Sequence, residues 1–520
     1  MLGYKESMKV PFSTDDFLSR AELCYGDRVG VVDEPGDAQA GGLGSLTYAE
    51  FARRARALSA GLDELGVGQG ERVAIVSQNS ARMLEGFFGV CSSGRIYVPI
   101  NFRLAPAEVA YILDHSGSSV VLVDPEVAHL VEGSSAKHTI VLGPDYEAML
   151  RFDTEPEQWD ADEDATATIN YTSGTTARPK GVQITHRNIW VNALTFALHA
   201  GVTDRDVYLH TLPMFHANGW GMPFAMTGLG APHIVLRKVD GADILRRVEQ
   251  HGVTIMCAAP AVVASILEAA TTWEGEVPGR DRVRVICAGA PPPSRTIARI
   301  EEELGWEFIQ IYGLTETSPL LTINRRKPEE DALSMEQAAP RLSRAGMPAL
   351  GVQISISDQG EVLARSNVVL EGYWEQPDAS ADALEGGWFH TGDGGSLDDE
   401  GYVSISDRKK DVIITGGENV SSIEVEDCLF SHPAVSEVAV IGVPSEKWGE
   451  TIKALVVLSG EASGTVTEAE LIAHCKQRLA GYKSPTSIDF RDEIPRTATG
   501  KIQKFKLREE FWKGFERQVN

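Results

Sequence analysis

The chain is most informative at Tyr171-Thr172-Ser173-Gly174-Thr175-Thr176-Ala177-Arg178-Pro179-Lys180-Gly181-Val182. This stretch combines four aliphatic hydroxyl side chains, two glycines and two cations. Hydroxyl and backbone N–H groups donate hydrogen bonds to phosphate oxygens, and cations neutralise phosphate charge. Residues 165–170 before it predict a short buried strand, and residues 185–200 after it predict a helix that Thr185 caps. Together they predict a phosphate-binding loop between a strand and a helix of an α/β fold.

The loop is not a Walker A motif. That motif has Gly directly before its Lys and Ser or Thr after it, whereas Pro179 precedes Lys180 here and Gly181 follows it. A surface turn rich in Ser, Thr and Gly is the competing interpretation, because such turns are common between strands and helices. The run of small and hydroxyl residues followed by Pro-Lys-Gly favours a phosphate loop of another kind.

Length and composition limit the class of protein. At 520 residues the chain exceeds what one hydrophobic core usually serves, so at least two domains are expected. Its 43% hydrophobic and 23% charged residues are typical of a globular protein. Its formal net charge of -26 argues against sequence-independent nucleic-acid binding, which needs a cationic surface. A local cluster of cations still permits ATP to bind.

The cysteines and the terminus indicate a location. The six cysteines are scattered along the chain without a Cys-x-x-Cys pair: Cys24, Cys91, Cys257, Cys287, Cys428 and Cys475. They predict reduced thiols, with neither a disulfide framework nor a zinc site. The first residues lack the apolar core of a signal peptide, and no apolar run approaches the roughly 20 residues of a transmembrane helix. A soluble cytoplasmic protein is therefore expected, with peripheral membrane contact and homodimerisation left open.

Strand and helix patterns alternate along most of the chain. Thr47-Tyr48-Ala49-Glu50 has the pattern of a capping box at the start of a helix that Gly66 ends. Further strands are predicted at residues 72–77, 97–100, 120–123, 254–258, 283–288 and 308–312, and further helices at residues 81–92 and 262–270. This alternation predicts an α/β fold with a large N-terminal domain of parallel or mixed sheets flanked by helices. Short strands of period two over residues 351–366 predict an antiparallel subdomain.

A domain boundary is predicted at Asp407-Arg408-Lys409-Lys410-Asp411. The predicted domains are residues 1–409 and residues 410–520, the second being a small, mobile α+β unit. In that unit, Ser421 and Thr467 are each followed three residues later by Glu, which predicts two helix starts. A solvated run of charges is the alternative interpretation of the boundary segment.

Three more segments carry polar groups that suit a nucleotide. Tyr312-Gly313-Leu314-Thr315-Glu316-Thr317 follows a predicted buried strand, so its side chains emerge at the strand end where ligands of parallel sheets bind. His390-Thr391-Gly392-Asp393 places a carboxylate after a tight turn, which suits a ribose diol. The stretch from Pro495 to Ile502 is a predicted loop that presents Lys501. Taken alone, each of these segments is also typical of an ordinary turn or surface loop.

Together, five ordered motifs resemble one family. Tyr-Thr-Ser-Gly-Thr-Thr-x-x-Pro-Lys-Gly, Tyr-Gly-Leu-Thr-Glu, Thr-Gly-Asp, Asp-Arg-x-Lys-Asp and a late Thr-Gly-Lys occur in the order and rough spacing of the acyl-adenylating enzymes. That superfamily contains acyl-CoA synthetases, peptide-synthetase adenylation domains and beetle luciferases. Within it, the stretch from Leu212 to Trp220 resembles medium- and long-chain fatty acyl-CoA synthetases most.

The resemblance implies an ATP-dependent acid–thiol ligase with Mg²⁺, and with CoA as co-substrate. The large domain would bind ATP and the acid, and the small domain would swivel over it. The implied phosphate-binding residues are Thr172, Ser173, Gly174, Thr175, Thr176 and Lys180. The implied residues around the adenosine are Gly289, Ala290, Pro291, Tyr312, Gly313, Asp393 and Arg408. Thr315 would contact the α-phosphate, and Glu316 with Thr172 would hold Mg²⁺.

The remaining implied roles concern the acid, CoA and the domain movement. His216 would lie beside the substrate carboxylate, and Trp220 would gate the acyl tunnel. Gly416, Gly417 and Glu418 would line the channel for the pantetheine arm of CoA, with Lys410 as the hinge. Lys501 would enter the site when the small domain closes. The implied catalytic set is Lys501, Glu316, Thr315, His216 and Lys180.

Two departures and two alternatives accompany this resemblance. Ala177 stands where the family usually has Gly, and Gly394 stands where an aliphatic residue is usual. One alternative is a ligase for another acid (aromatic, sulfur-containing or a sterol side chain) or for a carrier-protein thiol. The other is a nucleotide-binding protein without catalysis, against which the presence of both Glu316 and Lys501 weighs.

Overall fold

The computed structural model describes residues 9–34, 39–172, 179–289, 292–408, 411–415, 418–445, 448–460, 466–496 and 502–513. Within these ranges the strands are β1 (Val29–Asp33), β2 (Gly44–Thr47), β3 (Arg72–Val76), β4 (Ile96–Ile100), β5 (Ser118–Val123), β6 (His138–Val141), β7 (Thr166–Thr172), β8 (Lys180–Thr185), β9 (Tyr208–His210), β10 (His233–Val235), β11 (Ile255–Ala258), β12 (Arg284–Cys287), β13 (Glu307–Gly313), β14 (Leu320–Asn324), β15 (Met347–Pro348), β16 (Gln353–Ile356), β17 (Glu361–Arg365), β18 (Gly372–Tyr373), β19 (Phe389–Leu397), β20 (Val403–Arg408), β21 (Ile413–Thr415), β22 (Glu418–Val420), β23 (Val435–Ser445), β24 (Gly449–Leu458) and β25 (Ser487–Phe490).

The α-helices of the same ranges are α1 (Asp15–Tyr25), α2 (Tyr48–Glu64), α3 (Ala81–Gly89), α4 (Pro106–Ser116), α5 (Pro144–Met149), α6 (His186–Ala200), α7 (Met222–Leu229), α8 (Gly241–His251), α9 (Pro260–Ala270), α10 (Ser294–Arg299), α11 (Met335–Leu342), α12 (Pro377–Ala383), α13 (Ser422–Phe430), α14 (Glu468–Lys476) and α15 (Lys504–Trp512). None of the helices described here is long and apolar enough to cross a membrane.

Two large mixed sheets form the N-terminal part. One has nine strands in the order β15-β14-β13-β12-β11-β9-β10-β1-β2, and the other has seven in the order β18-β8-β7-β4-β3-β5-β6. The inner pairs of both sheets are parallel. Both edges of the nine-stranded sheet and the β18-β8-β7 edge of the other are antiparallel, whereas the edge strand β6 pairs parallel with β5. Buried aliphatic and aromatic side chains fill the space between sheets and helices. This architecture confirms the predicted α/β class.

The local signals at helix ends act as predicted. The Thr47 hydroxyl accepts the N–H of Glu50 while the Glu50 carboxylate accepts the N–H of Thr47, which completes the capping box of α2. Gly66 follows that helix with φ +71, a conformation that glycine adopts without penalty. Thr185 caps α6 in the same reciprocal way with Asn188.

One expected connection is wrong. The predicted order of strand, loop and helix misses β8, which lies between the loop and α6 and pairs antiparallel with β7. Val182 and Ile184 of this strand are buried in the core, so burial and pairing favour an extended chain here. The loop therefore joins two antiparallel strands, and Thr172 lies opposite Lys180 at its base.

The antiparallel subdomain is confirmed as the sheet β16-β17-β19-β20. The segment from His390 to Asp393 lies inside β19, so the expectation that Asp393 follows a tight turn is wrong. Pairing with β17 and β20 continues around this segment, and Gly392 bends the strand with φ +73 at a register shift in the ladder with β17. Gly394 sits beside a register shift in the ladder between β19 and β20, where an irregular backbone replaces the usual alternation.

The C-terminal part is a smaller α+β unit. Its five-stranded sheet contains β21 to β25, and α13, α14 and α15 pack on it around two apolar clusters. Ser421 and Thr467 cap α13 and α14 by accepting the N–H groups of Glu424 and Glu470, as predicted. The predicted boundary falls in the gap after Arg408, since residues 409 and 410 lie outside the described ranges.

Candidate active site

The segment after β13 carries polar side chains at the carboxyl edge of the large sheet. β13 runs parallel to β12 and ends at Gly313, and residues Thr315–Thr317 form one short helical turn. The Thr317 hydroxyl accepts the N–H of Leu314 at 2.9 Å, which fixes this turn. Thr315 and Glu316 are thereby held at the strand end, as the sequence predicts.

Two of the implied nucleotide contacts touch each other. The Tyr312 hydroxyl donates to Oδ2 of Asp393 at 2.8 Å, although the residues lie 81 positions apart. Asp393 is buried in β19, and its backbone pairs with that of Arg408 in β20. The site therefore gathers the implied adenine and ribose residues at one edge.

The predicted phosphate side of the site also includes Tyr373, which the sequence analysis missed. Its hydroxyl donates to Oε1 of Glu316 at 3.1 Å, and the Lys180 ammonium lies 4.6 Å from the centre of its ring. The ring of Tyr373 thus separates a cation from a carboxylate and orients both, since cations are attracted to aromatic faces. An aromatic pair directly after Gly372, Tyr373-Trp374, is the sequence signal that marks this position.

Side chains outside the predicted phosphate loop contact the strand at its base. The Tyr171 hydroxyl lies 2.8 Å from Nδ1 of His115, and Nε1 of Trp374 donates to the His115 carbonyl at 3.2 Å. Burial raises the pKa of the Tyr171 phenol, so it stays protonated at neutral pH. His115, near the end of α4, thus connects the last residues of β7 to Trp374.

The predicted acyl side of the site has an unusual backbone. Residues Ala217–Gly221 form a left-handed turn, with φ values between +44 and +78. Each residue other than glycine costs roughly 1–2 kcal/mol in this conformation. The turn follows His216 and contains Trp220, which is buried at 4% exposure. Such a conformation persists only where surrounding contacts hold it.

Those contacts come from β7, the strand that leads into the predicted phosphate loop, and from α6. Nδ2 of Asn218 donates to the Thr168 hydroxyl at 2.8 Å, and that hydroxyl donates to Oδ1 of Asn170 at 3.0 Å. Nδ2 of Asn192 donates to the Trp220 carbonyl at 3.3 Å. Because Thr168 and Asn170 belong to β7, one strand supports both the predicted phosphate side and the predicted acyl side.

The other predicted residues are placed as follows. Gly289 follows β12 with φ +97, close to the edge formed by β13. Glu418 is exposed in β22, where it pairs with Thr415, so it belongs to the small C-terminal sheet. The predicted residues Ser173, Gly174, Thr175, Thr176, Ala290, Pro291, Lys410, Gly416, Gly417 and Lys501 lie outside the described ranges, as does Ala177.

Comparison with known proteins places the chain in a family. A profile of AMP-binding enzymes matches residues 20–374, and a profile of the AMP-binding enzyme C-terminal domain matches residues 424–501. The chain belongs to the AMP-binding enzymes. The 2-methylpropanoate–CoA ligase of Humulus lupulus is 35% identical to it over 545 aligned residues, which cover 96% of this chain and 95% of the plant protein.

Solved structures agree. An o-succinylbenzoate CoA synthetase from Bacillus subtilis, in complex with its acyl-adenylate intermediate, matches with a TM-score of 0.80 and 30% identity over 95% of this chain and 98% of the other. A fatty acyl CoA synthetase from Mycobacterium tuberculosis matches with a TM-score of 0.72 and 32% identity over 97% and 99%. The predicted class is therefore confirmed: the chain is an AMP-forming acid–CoA ligase.

Proposed function

We propose that the chain activates a carboxylic acid in two steps. The carboxylate attacks the α-phosphorus of ATP, which gives an acyl-adenylate and pyrophosphate. The thiol of CoA then attacks the acyl carbon, which gives a thioester and AMP. The observation that carries the proposal is the convergence of Lys180, Tyr373 and Glu316 with the Tyr312–Asp393 pair at the carboxyl edge of the sheets.

The first step needs positive groups around phosphate. The attack adds a negatively charged nucleophile to a centre that is already anionic, so cations placed before the reaction stabilise the transition state. Lys180 stands at the end of the phosphate loop and suits the β- and γ-phosphates. His216 would contact the carboxylate, and Lys501 would reach the reacting phosphate when the small domain closes.

The residues present fit a magnesium ion. Mg²⁺ in nucleotide sites is usually held by one or two carboxylates together with phosphate oxygens and water. Glu316 offers one carboxylate whose Oε1 is already oriented by Tyr373, and Thr172 offers a hydroxyl. We assign these two residues to the ion. When bound, Mg²⁺ would neutralise charge on the leaving pyrophosphate.

The second step needs a different surface. Water would destroy the acyl-adenylate, so a domain that closes the site has a chemical purpose. We assign the hinge to Lys410 and the walls of the pantetheine channel to Gly416, Gly417 and Glu418. The small domain would then present Lys501 in one arrangement and this channel in the other.

The observations support two classes of acid that differ in the length of the acyl chain. Trp220 is buried in the turn that follows His216, which favours a short acid, and the Humulus lupulus relative is named for a short branched one. The resemblance of the stretch from Leu212 to Trp220, together with the Mycobacterium tuberculosis structure, favours a medium- or long-chain fatty acid. The two classes would differ in whether the Trp220 side chain closes or opens the acyl pocket.

A pyrophosphate-release screen tests the function. The acids are a straight-chain series from two to sixteen carbons, 2-methylpropanoate, benzoate, a sulfur-containing acid and a sterol side-chain acid, each with and without CoA. A holo carrier protein replaces CoA in a parallel arm. Acid-dependent pyrophosphate release that requires Glu316 and yields acyl-CoA supports the proposal. Release with none of the acids, or acyl transfer to the carrier alone, overturns it.

A further inference from the structure

A hydrogen bond joins the two predicted domains at a helix start. The backbone N–H of Ser294 donates to Oδ1 of Asp427 at 3.1 Å. Ser294 is the first residue of α10, and Asp427 lies on α13 of the small domain. The first N–H groups of a helix have no partner within it, and aspartate is among the best side chains for capping them. The residue before the helix is Pro293, whose side chain has no acceptor. Asp427 therefore supplies the cap from the other domain.

The donor of this hydrogen bond lies in a well-packed part of the large domain. Ile297 of α10 is fully buried in the same apolar cluster as Val285 of β12 and Phe308 of β13. The strands β12 and β13 lead directly into the edge where Gly289 and Tyr312 lie. A contact to Ser294 is therefore a contact to the framework that carries the predicted adenine side of the site.

The small-domain side is anchored as well. Glu426, next to Asp427, accepts the N–H of Val440 at 2.7 Å and pairs with the Lys504 ammonium at 2.8 Å. Lys504 opens α15, three positions after Lys501. The helix α13, which carries Asp427, is thus connected to α15, which follows the predicted catalytic lysine. We therefore expect α13 and α15 to move together.

A second contact supports the same interface. The Ser421 hydroxyl, which caps α13, also donates to the Ser406 carbonyl of β20. α13 therefore meets the large domain at two points, through its N-cap Ser421 and through Asp427 in its second turn. A helix held at two points resists rotation of the domain that carries it.

We propose that Asp427 is a positioning residue for the two-step reaction: it holds the small domain in the arrangement described here and releases it when the domain turns. This inference rests on the proposed function, because two half-reactions give the two arrangements different tasks. A contact made in only one arrangement shifts the equilibrium between them without touching a substrate. Asp427 thereby favours the half-reaction that this arrangement serves.

The test separates the half-reactions in the full-length enzyme. Acyl-adenylate formation is followed by acid-dependent pyrophosphate release without CoA, and thioester formation starts from supplied acyl-adenylate and CoA. Asp427→Ala should change the ratio of the two rates about three- to tenfold, the size expected from loss of one helix cap. Asp427→Asn should keep the ratio within about twofold, because asparagine caps almost as well. Glu509→Ala, at an exposed position on α15, is the matched control and should leave the ratio unchanged.

A measurement independent of activity completes the test. Hydrogen exchange at the amides of residues 294–297 should be faster in Asp427→Ala than in the wild type and in Asp427→Asn, because the capped N–H is freed. An unchanged rate ratio, equal loss of both rates, or unchanged exchange in Asp427→Ala overturns the positioning role. All of those results are compatible with ligase activity in the wild-type enzyme. Absence of that activity with every acid would instead overturn the proposed function. Hydrogen exchange would then still show whether Asp427 caps α10.

Discussion

The Tyr312 hydroxyl and the Asp393 carboxylate hold each other across a 2.8 Å hydrogen bond. The bond links the end of β13 in the nine-stranded sheet to β19 in the antiparallel subdomain. A carboxylate aimed by a phenol is well placed to accept from a ribose hydroxyl, while the phenol ring offers a face to a base. The pair thus connects the two structural units that the nucleotide would bridge.

Tyr312→Phe should weaken ATP binding more than acid binding. The variant keeps the ring but removes a hydrogen bond of about 1 kcal/mol, so we expect a rise of roughly fivefold in the KM for ATP. The KM for the acid should change less than twofold. Steady-state pyrophosphate release gives both constants, with Tyr482→Phe at a half-exposed position as the control. Equal changes in both KM values would show that the bond supports the fold rather than the nucleotide.

Trp220→Phe should change the order of acids by chain length. If Trp220 closes the predicted acyl pocket, the smaller ring leaves more space there, so kcat/KM for long acids should rise relative to short ones by about tenfold. Trp306→Phe is the control, because Trp306 is also buried, at 1% exposure, and lies outside the predicted site. Its indole N–H donates to the Pro278 carbonyl. If all acids lose kcat/KM by the same factor, Trp220 is only a core residue.

Lys410→Pro should separate the half-reactions. Proline fixes φ near roughly -65°, so a hinge that must adopt two conformations is restricted to one. We expect acyl-adenylate formation within about threefold of the wild type and thioester formation reduced at least about tenfold. Lys410→Ala, which removes the side chain but not the backbone freedom, is the control. The hinge assignment fails if proline leaves both rates intact, and equal loss in both would indicate misfolding.

Lys501→Ala should slow the first half-reaction. A well-placed donor to a charged transition state is worth about 3 to 4 kcal/mol, so acyl-adenylate formation should fall by roughly 10² to 10³-fold. Conversion of supplied acyl-adenylate and CoA to thioester should survive, because that step uses the other arrangement. Lys506→Ala, an exposed lysine of α15, controls for the loss of charge. A normal adenylation rate in Lys501→Ala would falsify the closing-domain mechanism.

Acid should destabilise the protein through His186. This residue is fully buried at the start of α6, its Nδ1 accepts the N–H of Thr14 at 3.2 Å, and burial lowers its pKa to about 4. Because the unfolded chain binds this proton near pH 6.5, the stability from neutral His186 is complete above that pH and is lost as the pH falls towards 4. Between pH 7 and pH 5 the loss is about 2 kcal/mol.

Urea unfolding at the two pH values measures this loss. His186→Gln removes the titrating group, so its unfolding free energy should fall by about 2 kcal/mol less than that of the wild type between pH 7 and pH 5. His129→Gln, at an exposed position, should behave like the wild type. An identical pH dependence in all three proteins would assign the acid sensitivity to other groups.

Local chemistry explains which parts of the fold were predictable. The reciprocal caps at Thr47 and Thr467 depend on residues three positions apart, so the sequence displays them directly. The turn after β13 was equally readable, because a polar run follows a short apolar strand. Antiparallel pairing over residues 353–365 also follows from its period of two.

Distant pairing explains what was missed. β8 is a six-residue strand that is favoured by its partner β7, and its own sequence gives only a weak strand signal. β18 has two residues and exists because Tyr373 pairs with Val182. The pair Tyr373-Trp374 marks this position locally, but no pattern within a window of ten residues reveals that Tyr373 pairs with Val182. Tyr373 was therefore absent from the predicted site.

The late strand β18 also has a consequence for biosynthesis. Lys180 and Thr172 leave the ribosome early, whereas Tyr373, which separates Lys180 from Glu316, follows nearly two hundred residues later. Domains fold largely as units during translation. In a nascent chain, the predicted phosphate loop is therefore synthesised long before Tyr373. The predicted nucleotide pocket is complete only when most of the polypeptide has been made.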